Sequence, residues 1–144
     1  MKVRSGLVRR PIDVSSLLGE VASSGHGATA FFVGTVRDLN DGRAVTGVEY
    51  SAYDAMAERE MLTIAVEAEA KHGSPHIVVE HRLGMLAVGE ASIAIAVGHE
   101  RRAPAIGAMS YVIEEFKRRV PIWKLEHYVD GTREWTDPTR ARAP

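Results

Sequence analysis

The step from Val120 to Pro121 limits the folds open to this chain more than any other feature. Proline has no amide hydrogen and disfavours helical geometry at the residue before it, so a helix arriving from the N-terminal side stops at Val120. The surrounding stretch runs Phe116-Lys117-Arg118-Arg119-Val120-Pro121-Ile122-Trp123-Lys124-Leu125-Glu126, with four cations in eight positions and then an acid. Lys117 is therefore expected in the last turn of a helix, and Lys124 on an extended segment beyond the break. Two amines on separate elements, with Trp123 as a bulky anchor between them, can converge on one anionic or electrophilic group. The same residues also read as ordinary last-turn cations, each worth about 0.3–1 kcal/mol against the helix macrodipole. Residue types alone leave both readings open.

The rest of the chain supplies the elements around this break. Asp13 can cap a short helix through Ala22, with Val14, Leu17, Leu18 and Val21 at helical spacing and Gly25-His26-Gly27 after it. The first 12 residues are basic and read as irregular. Ala28 to Val36 reads as a buried strand that runs into Arg37. A turn at Asn40-Asp41-Gly42-Arg43 would join it to a strand over Val45 to Ala52 as a hairpin. Asp54 is the expected N-cap of a long helix through Lys71, with Met61, Ile64, Ala65 and Ala68 on its buried face. His72-Gly73-Ser74-Pro75 ends it. Strands follow over Ile77 to Leu83 and Ala91 to Val97, the second alternating Ile93, Ile95 and Val97 with small residues. Its two apolar faces suggest a second copy packed against it. A helix from Pro104 would bury Ile106, Met109, Ile113 and Phe116 and deliver Lys117. Leu125 to Val129 and Thr132 to Trp135 complete a last hairpin. The pattern is α+β, one domain over 1–136, with a polar tail over 137–144 expected to be disordered.

Composition narrows the chemistry. The chain has 144 residues, 18 basic against 19 acidic, which argues against a general binder of nucleic acid or membrane surfaces. Cysteine is absent, so disulfides, zinc-thiolate sites and thiol nucleophiles are excluded. The start lacks the apolar core of a signal peptide and no apolar run reaches spanning length, so a soluble cytoplasmic protein is expected. The six histidines show no usable metal spacing; His72 and His76 lie four apart, but Gly73 and Pro75 break any helix between them. No bound cofactor and no metal are expected. Nucleotide-binding glycine loops and a serine nucleophile elbow are missing. Arg37 sits where a strand meets a loop, as either a ligand contact or a solvated charge. Arg101 and Arg102 precede a helix N-terminus, where cations are electrostatically disfavoured, a misfit of the kind that gathers at functional sites. The residues alone thus point to an anion site built from Arg37, Arg101, Arg102, Lys117 and Lys124.

The block Lys117-x-x-x-Pro121-x-Trp123-Lys124-x-Glu126 resembles the signature of the molybdopterin synthase large (catalytic) subunit family. Gly34-Thr35-Val36-Arg37, Leu83-Gly84-x-Leu86-x-x-Gly89-Glu90 and Arg101-Arg102 fall in that family's order, so the resemblance spans about residues 28 to 135. It implies an α/β hammerhead-type fold with an additional antiparallel β-sheet. It implies a sulfurtransferase that converts cyclic pyranopterin monophosphate into molybdopterin. The sulfur would come from the C-terminal Gly-Gly thiocarboxylate of a small ubiquitin-like subunit, within a heterotetramer built on a large-subunit homodimer. By the same resemblance Lys117 and Lys124 are catalytic, while Thr35, Val36, Arg37, Arg101, Arg102, Leu125 and Glu126 bind substrate. One departure stands out: Arg101 takes the place of the family's usual histidine, and His99 lies two residues earlier. Arginine keeps phosphate binding but cannot serve as a general base near neutral pH. Two other readings stay open, a non-catalytic scaffold for a ubiquitin-like partner and a domain that binds a phosphorylated metabolite.

Overall fold

The structure is a computed structural model that describes residues 2–136; the expected disordered tail lies outside the described residues. The elements are β1 (Val3–Val8), α1 (Val14–Val21), β2 (Ala28–Thr35), β3 (Leu39–Asn40), β4 (Arg43–Ala52) and α2 (Asp54–Lys71). Then come β5 (His76–Arg82), β6 (Gly84–Ala87), β7 (Ala91–His99), α3 (Arg102–Arg119), β8 (Ile122–Tyr128) and β9 (Arg133–Thr136).

One sheet has the order β1-β5-β7-β2, and its central strand β7 explains how it is covered. Ile93, Ile95 and Val97 face the main core with Met61 and Ile64 of α2 and Val112 and Phe116 of α3. Ala94 and Ala96 face the other way, against Leu17 and Val21 of α1. Small residues on that face let α1 approach, as the alternation suggested. Because both faces are filled within one chain, the apolarity of β7 is no argument for a second copy.

The second sheet is antiparallel, in the order β3-β4-β8-β9, with β6 also paired to β4. Its own core holds Val36, Val45, Val48, Leu86 and Tyr128. Gly47 lies so close to β6 that a Cβ there would sit 2.7 Å from the Leu86 carbonyl oxygen. The fold is thus α+β, the hammerhead-type arrangement with an additional antiparallel sheet that the resemblance implies.

Four local expectations need correction. The N-terminal segment is not irregular: β1 pairs parallel with β5, from Val3 opposite Ile77 to Val8 opposite Arg82. Its partner is remote in sequence, so no local pattern announces it. The turn at Asp41-Gly42 exists, with φ of 50° and 77° as a two-residue type I′ loop requires, but it joins β3 to β4. The expected hairpin partner, β2, pairs with β7 in the other sheet. Asp54 lies inside α2, and Tyr53 is its N-cap without a side-chain bond. The Asp54 carboxylate accepts from Arg9 Nη2 at 2.8 Å while still facing the positive helix end. On α3 the buried stripe is Ala105, Ala108, Val112 and Phe116. Ile106 is 54% exposed. A helix pressed closely against both α2 and the sheet buries its alanines, so the larger side chain one position on is left outside.

Candidate functional site

The break at Pro121 does what the sequence demanded. α3 ends at Arg119, Val120 is its C-cap in extended geometry (φ −81°, ψ 122°), and β8 starts at Ile122. The cations of this stretch then separate by role. Arg119 donates to Glu60 and Glu67 of α2 and to Glu115 of α3, and Arg118 donates to Glu115. Those two are structural. Lys117 and Lys124 instead line one narrow cavity of about 30 Å³ with Tyr50, His81, Ser92, Phe116, Val120 and Ile122. A volume of that size admits about two water-sized groups.

Lys124 and Tyr50 also wall a second cavity of about 50 Å³, completed by Thr35, Val36, Arg37, Leu39, Asn40, Val48 and Glu126. The loop that carries Thr35 to Arg37 is aimed there by a break in pairing. The β2–β7 register shifts between Gly34 and Thr35, and Val36 then exchanges backbone bonds with the β6–β7 turn, Val36 N–H to Glu90 O at 3.0 Å and Gly89 N–H to Val36 O at 2.8 Å. Gly34 has no room for a side chain, since a Cβ would meet Ile93 Cγ2 at 2.8 Å. The turn itself is held by the Glu90 carboxylate, which accepts from Ala87 N–H at 2.7 Å and Arg82 Nη1 at 3.0 Å. Those two bonds, the backbone one the larger, hold the Glu90 carboxyl below the usual range.

Along β8, residues two apart share a face, so Lys124 and Glu126 point the same way and Leu125 the other. Lys124 Nζ lies 3.6 Å from Glu126 Oε1, and Glu126 is 4% exposed. Leu125 is buried behind the strand and lines neither cavity. Trp123 anchors the strand, its ring edge-on to Tyr53 at 5.3 Å.

Arg101 and Arg102 are not brought to the lysines. They line a separate, wider surface cavity of about 530 Å³ with Gly27, Ala28, Glu100 and Ala103. His99 does not stand in for the family histidine in either lysine cavity. Its Nδ1 accepts from the Arg101 amide at 2.9 Å and its Nε2 donates to the Gly73 carbonyl at 3.0 Å, so both nitrogens are engaged in holding the backbone. The single five-cation site read from the sequence therefore divides, within one chain, into a lysine–Arg37 site and an arginine surface.

Three site residues escaped the sequence reading: Tyr50, His81 and Ser92. Burial raises the Tyr50 hydroxyl above its ordinary range, partly opposed by a hydrogen bond with Ser92, while the Glu126 charge adds to the rise. Ser92 Oγ donates in turn to the Gly34 carbonyl at 3.2 Å. His81 is pushed down to about 3, chiefly by burial, against a backbone bond to Arg82 and with the help of the Lys117 charge. Nothing local marks these residues, since each lies within a strand and reaches the site only through sheet pairing. Among the described residues no cluster of acids and histidines could hold a metal ion, and no helix is long and apolar enough to cross a membrane.

Relatives fit this geometry. The chain is 44% identical over 126 residues to a Synechococcus elongatus protein named molybdopterin synthase catalytic subunit, covering 87% of this chain and 76% of that one. It is 40% identical over 140 residues to a Drosophila willistoni protein of the same name, covering 96% of this chain but only 38% of the longer relative. A solved structure of molybdopterin synthase from Staphylococcus aureus superposes with a TM-score of 0.86 at 32% identity, covering 91% of this chain and 95% of that one. The sequence model of the family described as MoaE protein matches residues 7–119, from within β1 to the last residue of α3. With so much of the fold inside that match, the chain belongs to the MoaE protein family.

Proposed function

We propose that this chain is the catalytic subunit of a molybdopterin synthase. It transfers sulfur from the C-terminal thiocarboxylate of a small ubiquitin-like subunit to cyclic pyranopterin monophosphate, which builds the dithiolene of molybdopterin. The observation that carries this reading is the convergence of Lys117 from α3 and Lys124 from β8 on one narrow cavity, which adjoins Arg37 through Tyr50 and Lys124. A cavity this narrow suits the bare end of a Gly-Gly tail, which has no side chain to clash, better than a pterin ring. In the reading, Lys117 meets the carbonyl carbon of that tail as a transient nucleophile, or else it assists ring opening and phosphate loss of a pterin seated at the cavity mouth. Arg37, with Thr35 and Val36 beside it, faces the phosphate, for which a planar guanidinium is well suited. Glu126 holds the Lys124 amine, and Leu125 fixes β8 from behind. Arg101 and Arg102 enter the proposal as further contacts for the anionic substrate. The absence of cysteine agrees with a sulfur donor carried by another chain.

The proposed assembly is a homodimer with a small subunit at each end, and the proposed location is the cytoplasm. The test is reconstitution of the full chain with a thiocarboxylated small subunit and the cyclic pterin. Dithiolene product is the expected result. Tight partner binding without turnover would instead identify a scaffold, and pterin binding that needs no partner would identify a metabolite-binding domain.

A further inference from the structure

His81 is a wall of the Lys117 cavity for which the sulfur-transfer chemistry above has no task. It lies on β5, 5% exposed, and its ring is held from three sides. It stacks on Phe116 with centroids 5.4 Å apart and planes 5° from parallel, and it meets the Tyr50 ring edge-on at 5.1 Å. Its Nδ1 lies 2.9 Å from the Arg82 carbonyl oxygen. A carbonyl can only accept, so the proton is on Nδ1, and Nε2 of the neutral ring carries an available lone pair. Phe116 immediately precedes Lys117, so the stack ties the imidazole to the turn of α3 that carries the amine. Both side chains line a cavity with room for about two waters, and the Lys117 charge acts on the His81 ring across it.

We propose that His81 is a positioning residue for Lys117: its Nε2 accepts a hydrogen bond, direct or through one water, from the Lys117 amine and aims that amine into the cavity it shares with Lys124. The task rests on the sulfur-transfer reading above, but the contact does not. The charged and titratable groups around the ring are Lys117 on α3, Lys124 on β8, Tyr50 on β4 and Arg82 on β5, with no carboxylate beside it among the cavity walls. Burial and the Lys117 charge both oppose a second proton on the ring, so His81 stays an acceptor throughout the neutral range. A base that weak cannot carry the reaction's proton near pH 7. Its contribution is orientation.

The experiment compares His81→Phe, which keeps the stack and loses the acceptor, with His81→Gln, whose amide oxygen can accept. The first readout needs no substrate: the pH dependence of Lys117 labelling by acetic anhydride, a reagent of only a few heavy atoms, resolved from Lys124 by peptide mass spectrometry. Loss of an acceptor destabilises the ammonium form, so His81→Phe should label Lys117 roughly tenfold faster at a fixed pH below the midpoint, with Lys124 unchanged. His81→Gln should return most of the difference. In turnover, kcat of His81→Phe should fall roughly tenfold with KM within about twofold, opposite in direction to the labelling. A folded His81→Phe that labels at the unaltered rate across the pH range overturns the proposal. Should that variant not fold, the ¹⁵N shift of His81 Nε2 decides: it should move in Lys117→Ala, and an unmoved signal overturns the contact. No product from the unaltered protein would refute the sulfur-transfer reading instead and leave the labelling result standing.

Discussion

Lys117 and Arg119 are two positions apart on α3, yet one faces a cavity and the other closes an ionic network between helices. For Lys117, substitution by Ala removes a cavity-lining amine rather than core packing, so the variant should fold normally with a stability change of about 1 kcal/mol or less. Product formation should fall about 100-fold or more, as for loss of a group acting at the reacting centre. Lys117→Arg should not restore it, because arginine keeps the charge without a nucleophilic amine; partial rescue by Lys124→Arg would mark Lys124 as a phosphate contact. Normal conversion by Lys117→Ala, with native circular dichroism, would remove the catalytic assignment. For Arg119, the consequence lies in acid. Its bond to Glu67, with a second from the Tyr111 hydroxyl at 2.6 Å, holds that carboxyl down to about 2 from an ordinary 4.5. A depressed carboxyl contributes stability that is complete above the unfolded value and is lost as pH falls towards the folded one. Urea midpoints measured between pH 5 and pH 2 should therefore fall less steeply for Glu67→Gln than for the unaltered chain. Parallel slopes would show that the network contributes nothing to acid sensitivity.

At the scale of elements, the α2–α3 layer shows how contact distance selects side chains. Ala57, Ala65 and Ala68 of α2 and Ala105 and Ala108 of α3 are all buried and belong to one core with the sheet. Small residues on both helices permit an approach that larger ones would block. Met61, 1% exposed, fills the space that remains, whereas Ile106 projects outward. Met61→Ala should thus cost about 2–5 kcal/mol, and Ile106→Ala should stay within about 0.5 kcal/mol. Denaturant unfolding of the two variants checks this, and a large cost at Ile106 would restore the stripe inferred from hydrophobicity. On β1, Val3 and Leu7 pack against the main core, and Arg4 and, just beyond the strand, Arg10 reach the nearly buried Glu80 at 3.0 and 3.1 Å, so charge contacts add to apolar packing in holding the strand to β5.

At the scale of the whole molecule, two sheets meet where the Thr35–Arg37 loop leaves the first and joins the second, and both lysine cavities lie along that junction. The proposed homodimer belongs to this scale. Static light scattering of the isolated chain at micromolar concentration should report twice the monomer mass. A monomer that persists with the small subunit added would refute that assembly without touching the chemistry of the lysines. Since β7 is covered on both faces within one chain, any dimer must use other surfaces, among which the exposed Val129 and Trp135 near β9 offer apolar contact.

Much of the site's chemistry was written locally. Pro121 ends a helix wherever it is placed, so the separation of Lys117 from Lys124 onto two elements followed from one residue's missing amide hydrogen. Asp13 as a cap, the buried face of α2 and the Asp-Gly turn likewise depend on neighbours within a few positions. Tertiary structure alone decided which cations meet. Arg101 and Arg102 look as suited to an anion as Arg37 does, yet they open α3 and lie about four turns of that helix away from Lys117, whereas Arg37 is brought in beside Lys124 from a separate strand end. Tyr50, His81 and Ser92 came from three strands in two sheets, brought to one cavity by pairing between residues remote in sequence. Strand pairing is a relation between distant segments, fixed by register and shared burial, and no single segment carries it.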